Sequence, residues 1–213
     1  PALLKARKRV RTKTPLEETL PPELRARFVA ARTRLGKPAG RYDDWQPLVA
    51  GLMLLDDSRD GKGWSEPHDL VRAAARKAKV PVWNGPKYPL MPLVAGLKGG
   101  LDPRAQIDCL AGALDDVEAG VGAWRRAGQA WARGDTPVAL QAPRASNACL
   151  LAINGGPQMW RNMVRNDTAE IVAELGRPGH AVAIVGLRPL LAEDGVIEQL
   201  RAKGLKVVGP GEG

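Results

Sequence analysis

Apolar positions along this chain form helical stripes through most of its length and one short continuous run near its end. Pro21-Pro22-Glu23 marks a helix start, with Leu24, Phe28, Ala31 and Leu35 on one face and Gly36-Lys37-Pro38 as the stop. A second helix is expected from about Trp45 to Leu55, followed by the charged, glycine-bearing loop 56–63. A third is expected from about Glu66 to Lys79, with Leu70, Ala73, Ala74 and Ala78 facing inward, and Val80–Trp83 then reads as a short edge strand because of Pro81. The strongest period belongs to about Pro103–Arg133, where Leu110, Leu114, Val117, Val121, Trp124 and Trp131 form one stripe. Gly112, Gly120, Gly122 and Gly128 each weaken that helix by about 1 kcal/mol relative to alanine, so packing must hold it. A broken helical stretch runs to Ile153, Asn154–Pro157 form a loop, and a last long helix spans about Gln158–Leu175 before Gly176-Arg177-Pro178-Gly179.

The continuous run is Ala181-Val182-Ala183-Ile184-Val185, preceded by His180 and closed by Gly186. Small and β-branched residues without alternation predict a strand buried on both faces. Glu193 and Asp194 suit the positive end of a following helix, Gly204 suits its left-handed cap, and Leu205–Val208 reads as a second strand. The fold class expected is therefore α/β: a helix-rich single domain with a small sheet and a closing βαβ unit. The loop after the first of these strands, with Arg188, Glu193 and Asp194, lies where α/β sheets place their binding residues.

A chain of 213 residues suits one domain with a sizeable core, expected here over residues 14–213. No apolar run approaches the roughly 18 residues of a membrane-crossing helix, and no apolar segment of signal-peptide type follows the first charges. The formal charge is +9, but Lys5, Arg7, Lys8, Arg9, Arg11 and Lys13 all precede the first acid, Glu17; without these six the charge falls to +3. Residues 1–13 thus form a basic arm. It can meet phosphates or anionic lipid, or simply be a solvated leader whose deletion leaves thermal stability unchanged. The arm has no aromatic residue on which a base could stack, so nucleic acid is not an expected partner.

Motif chemistry is sparse. There is no phosphate loop, dinucleotide fingerprint, nucleophile elbow or His-Glu-x-x-His helix, and no cofactor is expected. Asp43-Asp44, Asp56-Asp57 and Asp115-Asp116 are adjacent pairs, which diverge by about 100° on a helix and read as surface. His68 and His180 stand far apart, and with two cysteines they make no zinc spacing. Arg161-Asn162 and Arg165-Asn166 repeat one helical turn apart on a shared face. They can offer guanidinium forks to a carboxylate, or fix the helix to a neighbouring loop. Cys109 and Cys149, 40 residues apart in amphipathic settings, are either a bridge or two buried thiols.

The closing segment resembles the end of the TraB/GumN family, relatives of the Tiki proteases. That pattern runs as an apolar strand, V-G-x-x-H-L, then x-G-x-D-G-hydrophobic, then L-x-x-x-G-hydrophobic-x-V. Val185-Gly186, Leu190, Glu193-Asp194-Gly195-Val196, Leu200, Gly204 and Val207 fall in step with it. Thr14–Leu24 is similar to the family's T-L-x-x-x-L-P-P-E-L stretch, and Trp131–Asp135 to its W-x-x-G-D turn. The family also carries an R-N pair on its last long helix, with either Arg161-Asn162 or Arg165-Asn166 as its counterpart.

The family histidine falls on Pro189, which can neither ligate a metal nor move a proton. The family glutamate falls in Asn84-Gly85-Pro86-Lys87, which has no carboxylate, and His68-Asp69 lies near a family aspartate. Nothing before Thr14 matches the family's G-T-x-H strand, so the front of the family fold is expected to be absent. The resemblance implies an exported bacterial, periplasmic protein, and with it a Cys109–Cys149 disulfide. The function expected is that of a catalytically degenerate member with a binding or assembly role toward a protein or envelope component, binding no metal. Two rivals are a metal-dependent hydrolase of Tiki type completed by another segment or chain, and a basic protein binding nucleic acid or an anionic polymer.

Overall fold

The computed structural model describes residues 10–59, 67–83, 85, 102–142 and 145–209. These fall into two compact units, one within Pro1–Asp60 and Pro89–Pro157, the other within Gly61–Tyr88 and Gln158–Gly213.

In the first unit, α1 (Leu16–Thr19) packs on α2 (Pro22–Arg34), while α2 and α3 (Pro47–Arg59) pack against α5 (Pro103–Ala132), which α6 (Thr136–Ala139) and α7 (Ala145–Ala152) also flank. Leu24, Phe28 and Ala31 of α2 are buried as their spacing predicts, and Phe28 meets Tyr42 edge-on with ring centroids 5.4 Å apart. Leu54 of α3 and Leu110 and Leu114 of α5 complete the centre of this core. Helices α3 and α5 approach closely at Gly51, where a Cβ would lie 3.3 Å from both the Cβ of Ala113 and the Cα of Leu110.

Helix α5 begins at Pro103, with the Asp102 side chain accepting hydrogen bonds from the backbone N–H groups of Arg104 and Ala105. It breaks at Gly120, whose φ of 65° and ψ of −174° suit glycine alone. The break removes the intrahelical donor that the Val117 carbonyl would otherwise have, and the Arg34 guanidinium donates to that oxygen at 3.1 Å.

The first residues described are docked. Val10 is buried, the Gln46 N–H donates to the Val10 carbonyl, the Thr12 N–H donates to the Asp44 carbonyl, and Arg11 bridges Trp45 in an isolated antiparallel contact. Arg11 also pairs with Asp44 at 2.5 Å and lies over the Trp45 ring. Deleting residues 1–13 is therefore expected to cost about 1–2 kcal/mol, from the buried Val10 side chain and two lost backbone bonds, rather than nothing. Urea denaturation of the truncated and intact chains measures the difference.

The second unit holds α4 (Pro67–Lys77), α8 (Gly156–Leu175, which starts at the boundary), α9 (Leu187–Leu191) and α10 (Val196–Ala202). Its core joins Val164 of α8 to Val196 and Leu200 of α10, with Trp160, Leu190 and Val207 packed against them. Helix α10 ends as expected: Gly204 has φ 81°, and the Leu205 N–H reaches back to the Leu200 carbonyl.

The small sheet and closing βαβ unit are corrected. Among the described residues there is no strand, and the fold is helical. Residues 181–186 are irregular; Ala181–Ile184 are exposed, Val182 by 87%, while Val185 is half-buried against the α8–α10 core. The 205–208 segment lays Leu205 and Val207 against the α8–α10 core without joining a ladder, and Val80–Trp83 is likewise unpaired. A β-branched run expresses a preference for a pleated, packed surface, whereas a strand exists only where a neighbour accepts its hydrogen bonds. Helix α4 also departs from expectation, since Leu70 is 58% exposed instead of inward.

Candidate functional site

The loop that the sequence singles out runs from Gly186 to Val196 and is a short helix followed by a tight turn. Gly186 caps α9, and Leu190 donates its N–H to the Gly186 carbonyl at 3.0 Å. Pro189 occupies the first turn, where an N–H would have no intrahelical acceptor, so proline costs no bond there. It is buried, and its Cγ lies 3.2 Å from the place a Cβ of Gly186 would take. Arg188 beside it is half-buried.

Glu193 and Asp194 are exposed, and Asp194 adopts a left-handed φ of 56°. The turn is held from both sides: the Asp194 N–H donates to Glu198 Oε2 at 2.8 Å, and Gln199 Nε2 donates to the Asp194 carbonyl at 2.9 Å. The Glu198 contact is a capping interaction that reaches back from the first turn of α10. Gly195 is packed tightly, since a Cβ would stand 2.5 Å from the Ala192 carbonyl oxygen and 2.7 Å from that of Pro189. Gly195→Ala is expected to lower stability by about 2 kcal/mol, read from the urea midpoint, because the obstruction is backbone and cannot swing away.

On α8, Arg161 donates to Gln158 Oε1 at 2.8 Å, and Gln158 Nε2 donates to Asn162 Oδ1 at 2.9 Å. Arg165 donates to the same Asn162 oxygen at 2.8 Å. Arg161, Asn162 and Arg165 therefore form one polar ladder with Gln158, which the sequence reading had left out. Both arginines are exposed, whereas Asn162 and Asn166 are half-buried. A Gln three residues before an Arg and four before an Asn was the available signal. The ladder is local to α8, and the Asp194 turn is tied to α10.

In the first unit, Cys109 on α5 and Cys149 on α7 are joined by a disulfide, Cα atoms 5.0 Å apart, buried beside Leu48 and Ile153. The most organised charge there is Asp57 on α3, which the sequence assigned to the surface. Its side chain is 3% exposed and accepts hydrogen bonds from Arg41 (3.1 Å to each oxygen) and from the Tyr42 hydroxyl (2.7 Å), with Lys37 Nζ at 3.0 Å. Burial alone would raise this carboxyl, but the bonds from Arg41, Tyr42 and Lys37 outweigh it and hold it at about 2. The Tyr42 hydroxyl is pushed above its ordinary range, first by burial and then by Asp57. At neutral pH the carboxyl is therefore ionised and the phenol protonated, and the cluster ties α3 to the 37–42 segment through these bonds. Its signal in the sequence was phase: Asp57 follows Leu54 by three and shares its buried face.

Among the described residues no three His, Cys, Asp or Glu side chains gather as a metal site would require, and no helix is long and apolar enough to cross a membrane. The sequence model of the TraB/PrgY/gumN family matches residues 2–208. The chain belongs to the TraB/PrgY/gumN family. No curated protein and no solved structure matches it. The family match spans both units, and so includes the Asp57 cluster and the disulfide as well as the closing turn. In this TraB/PrgY/gumN chain the 186–196 segment is shaped by packing: Pro189 under the turn, Gly195 against two carbonyls, and Asp194 held through its backbone.

Proposed function

We propose that this TraB/PrgY/gumN chain is a catalytically degenerate, exported member whose role is binding or assembly. The observation that carries the reading is Pro189. It fills the position that the resemblance assigns to a histidine, and it is buried against Gly186 and beneath Gly195, with no side-chain donor or acceptor. A catalytic zinc typically needs three protein ligands and one open position, and this segment offers a proline in the place of one of them. The disulfide fits an oxidising compartment, which supports export. The Arg161–Asn162–Arg165 ladder supplies the exposed guanidinium surface that a carboxylate-bearing partner would meet.

Purified, tag-free protein is expected to carry no stoichiometric zinc, and Pro189→His is expected to confer neither zinc nor peptidase activity. Stoichiometric metal by elemental analysis, or hydrolysis lost on chelation and restored by metal, would overturn this reading in favour of a metal-dependent hydrolase.

A further inference from the structure

We infer that α4 and the segment that follows it, residues 67–83, form an interfacial anchor for an anionic lipid surface. On α4, Leu70, Val71 and Ala74 lie within an arc of about 100°, and the Ala78 position continues it; Arg72 and Arg76 lie on the opposite side. In this arc Leu70 is 58% exposed and Val71 41% exposed. The helix then stops sharply. Lys79 takes a left-handed φ of 56°, the Lys79 N–H donates to the Arg76 carbonyl, and the Val80 N–H donates to the Ala75 carbonyl. That turn delivers Val80, Val82 and Trp83 as three further exposed apolar side chains, Trp83 by 67%. The Arg177 guanidinium, which also pairs with Glu174 at 2.9 Å, lies 5.3 Å over the Trp83 ring.

Charge decides the occupant. Over residues 67–83 there are four cations, Arg72, Arg76, Lys77 and Lys79, against the single acid Asp69. A second copy would bring the same positive field to the contact and be repelled. An anionic bilayer presents negative headgroups above an apolar interior, which matches a basic face, an apolar arc and a marginal tryptophan together. The arc joins Leu70 and Val71 to two alanines, and Val80, Val82 and Trp83 follow the helix in an irregular segment. This arrangement suits a deformable surface better than the pocketed groove of a protein partner. The inference is independent of whether the chain is catalytic.

The test is co-sedimentation of the full chain with vesicles of phosphatidylcholine alone or with about one-third phosphatidylglycerol, at low and high salt. Binding to the anionic vesicles is expected, with little to the neutral ones and a decline with salt. The pair Leu70→Asn with Trp83→Ala should weaken it at least tenfold, as should Arg76→Glu with Lys77→Glu. Quenching of tryptophan emission by brominated lipid should be largely lost in Trp83→Phe, a mild change that reports insertion without relying on the stability of the other variants. No binding to anionic vesicles overturns the inference. So does binding that both double variants leave unchanged, which would assign it to residues 1–13. Capture of a poly-glutamate peptide without vesicle binding likewise overturns it, in favour of an acidic protein partner.

Discussion

Asp57→Ala is expected to lower stability by about 3 kcal/mol at neutral pH, one of the two largest effects of a local change in this protein. The substitution leaves the buried Tyr42 hydroxyl without its acceptor and removes the anion shared by Lys37 and Arg41. Those two cations are partly exposed and can turn toward water, so the loss stays near the lower end of the range for breaking a buried pair. Asp57→Asn keeps an acceptor for Tyr42 and is expected to cost about 1 kcal/mol less. The pH dependence follows from the depressed carboxyl. A group held at about 2 when folded, against an ordinary 3.8, contributes about 2 kcal/mol that is fully present above pH 4 and lost as pH falls toward 2. Urea midpoints measured from pH 6 to pH 2 should fall for the native chain and be flatter for Asp57→Ala; equal slopes would show that the carboxyl is not held down.

Reducing the Cys109–Cys149 bridge is expected to cost about 4 kcal/mol. The bond closes a loop of 40 residues, and on chain-entropy grounds its loss frees the unfolded state by that amount. Both cysteines are buried where α3, α5 and α7 meet, beside Leu48 and Ile153. Reductant should therefore act slowly on the native protein and quickly once the helices have opened. Comparing urea midpoints with and without reductant, alongside the Cys109→Ala/Cys149→Ala double variant, checks both statements. An unchanged midpoint on complete reduction would show that helix packing alone holds this junction.

The helices were legible because each carries its own period. Leu24, Phe28 and Ala31 repeat on one face of α2, and the Leu110–Leu114–Val117 stripe faces the core of the first unit. Caps were legible for the same local reason: Pro103 opens α5, and Gly204 takes the left-handed position past α10. Gly120 was visible as a weak point, but the Arg34 guanidinium that meets the Val117 carbonyl at the break comes from another helix and left no local signal. Asp57 was misread as surface because the helix was expected to end at Leu55, whereas α3 runs on to Arg59 and carries Asp57 on its buried face. Lys37, Arg41 and Tyr42, which reach it across a turn, leave no periodic trace.

By itself, then, the sequence determined which long stretches are helical, several of their caps, and that the closing pattern resembles the TraB/PrgY/gumN family, to which the chain belongs. Tertiary structure alone decided that Ala181–Val185 and Leu205–Val208 form no sheet, that Leu70 and Val71 of α4 are exposed, and that Asp57 is buried among two cations and a phenol. The physical reason is range. A helix satisfies its backbone within four residues and a cap within two or three, so both are written locally. A strand, a buried charge and a covered apolar face each need a partner from elsewhere in the chain, and no local spacing specifies that partner.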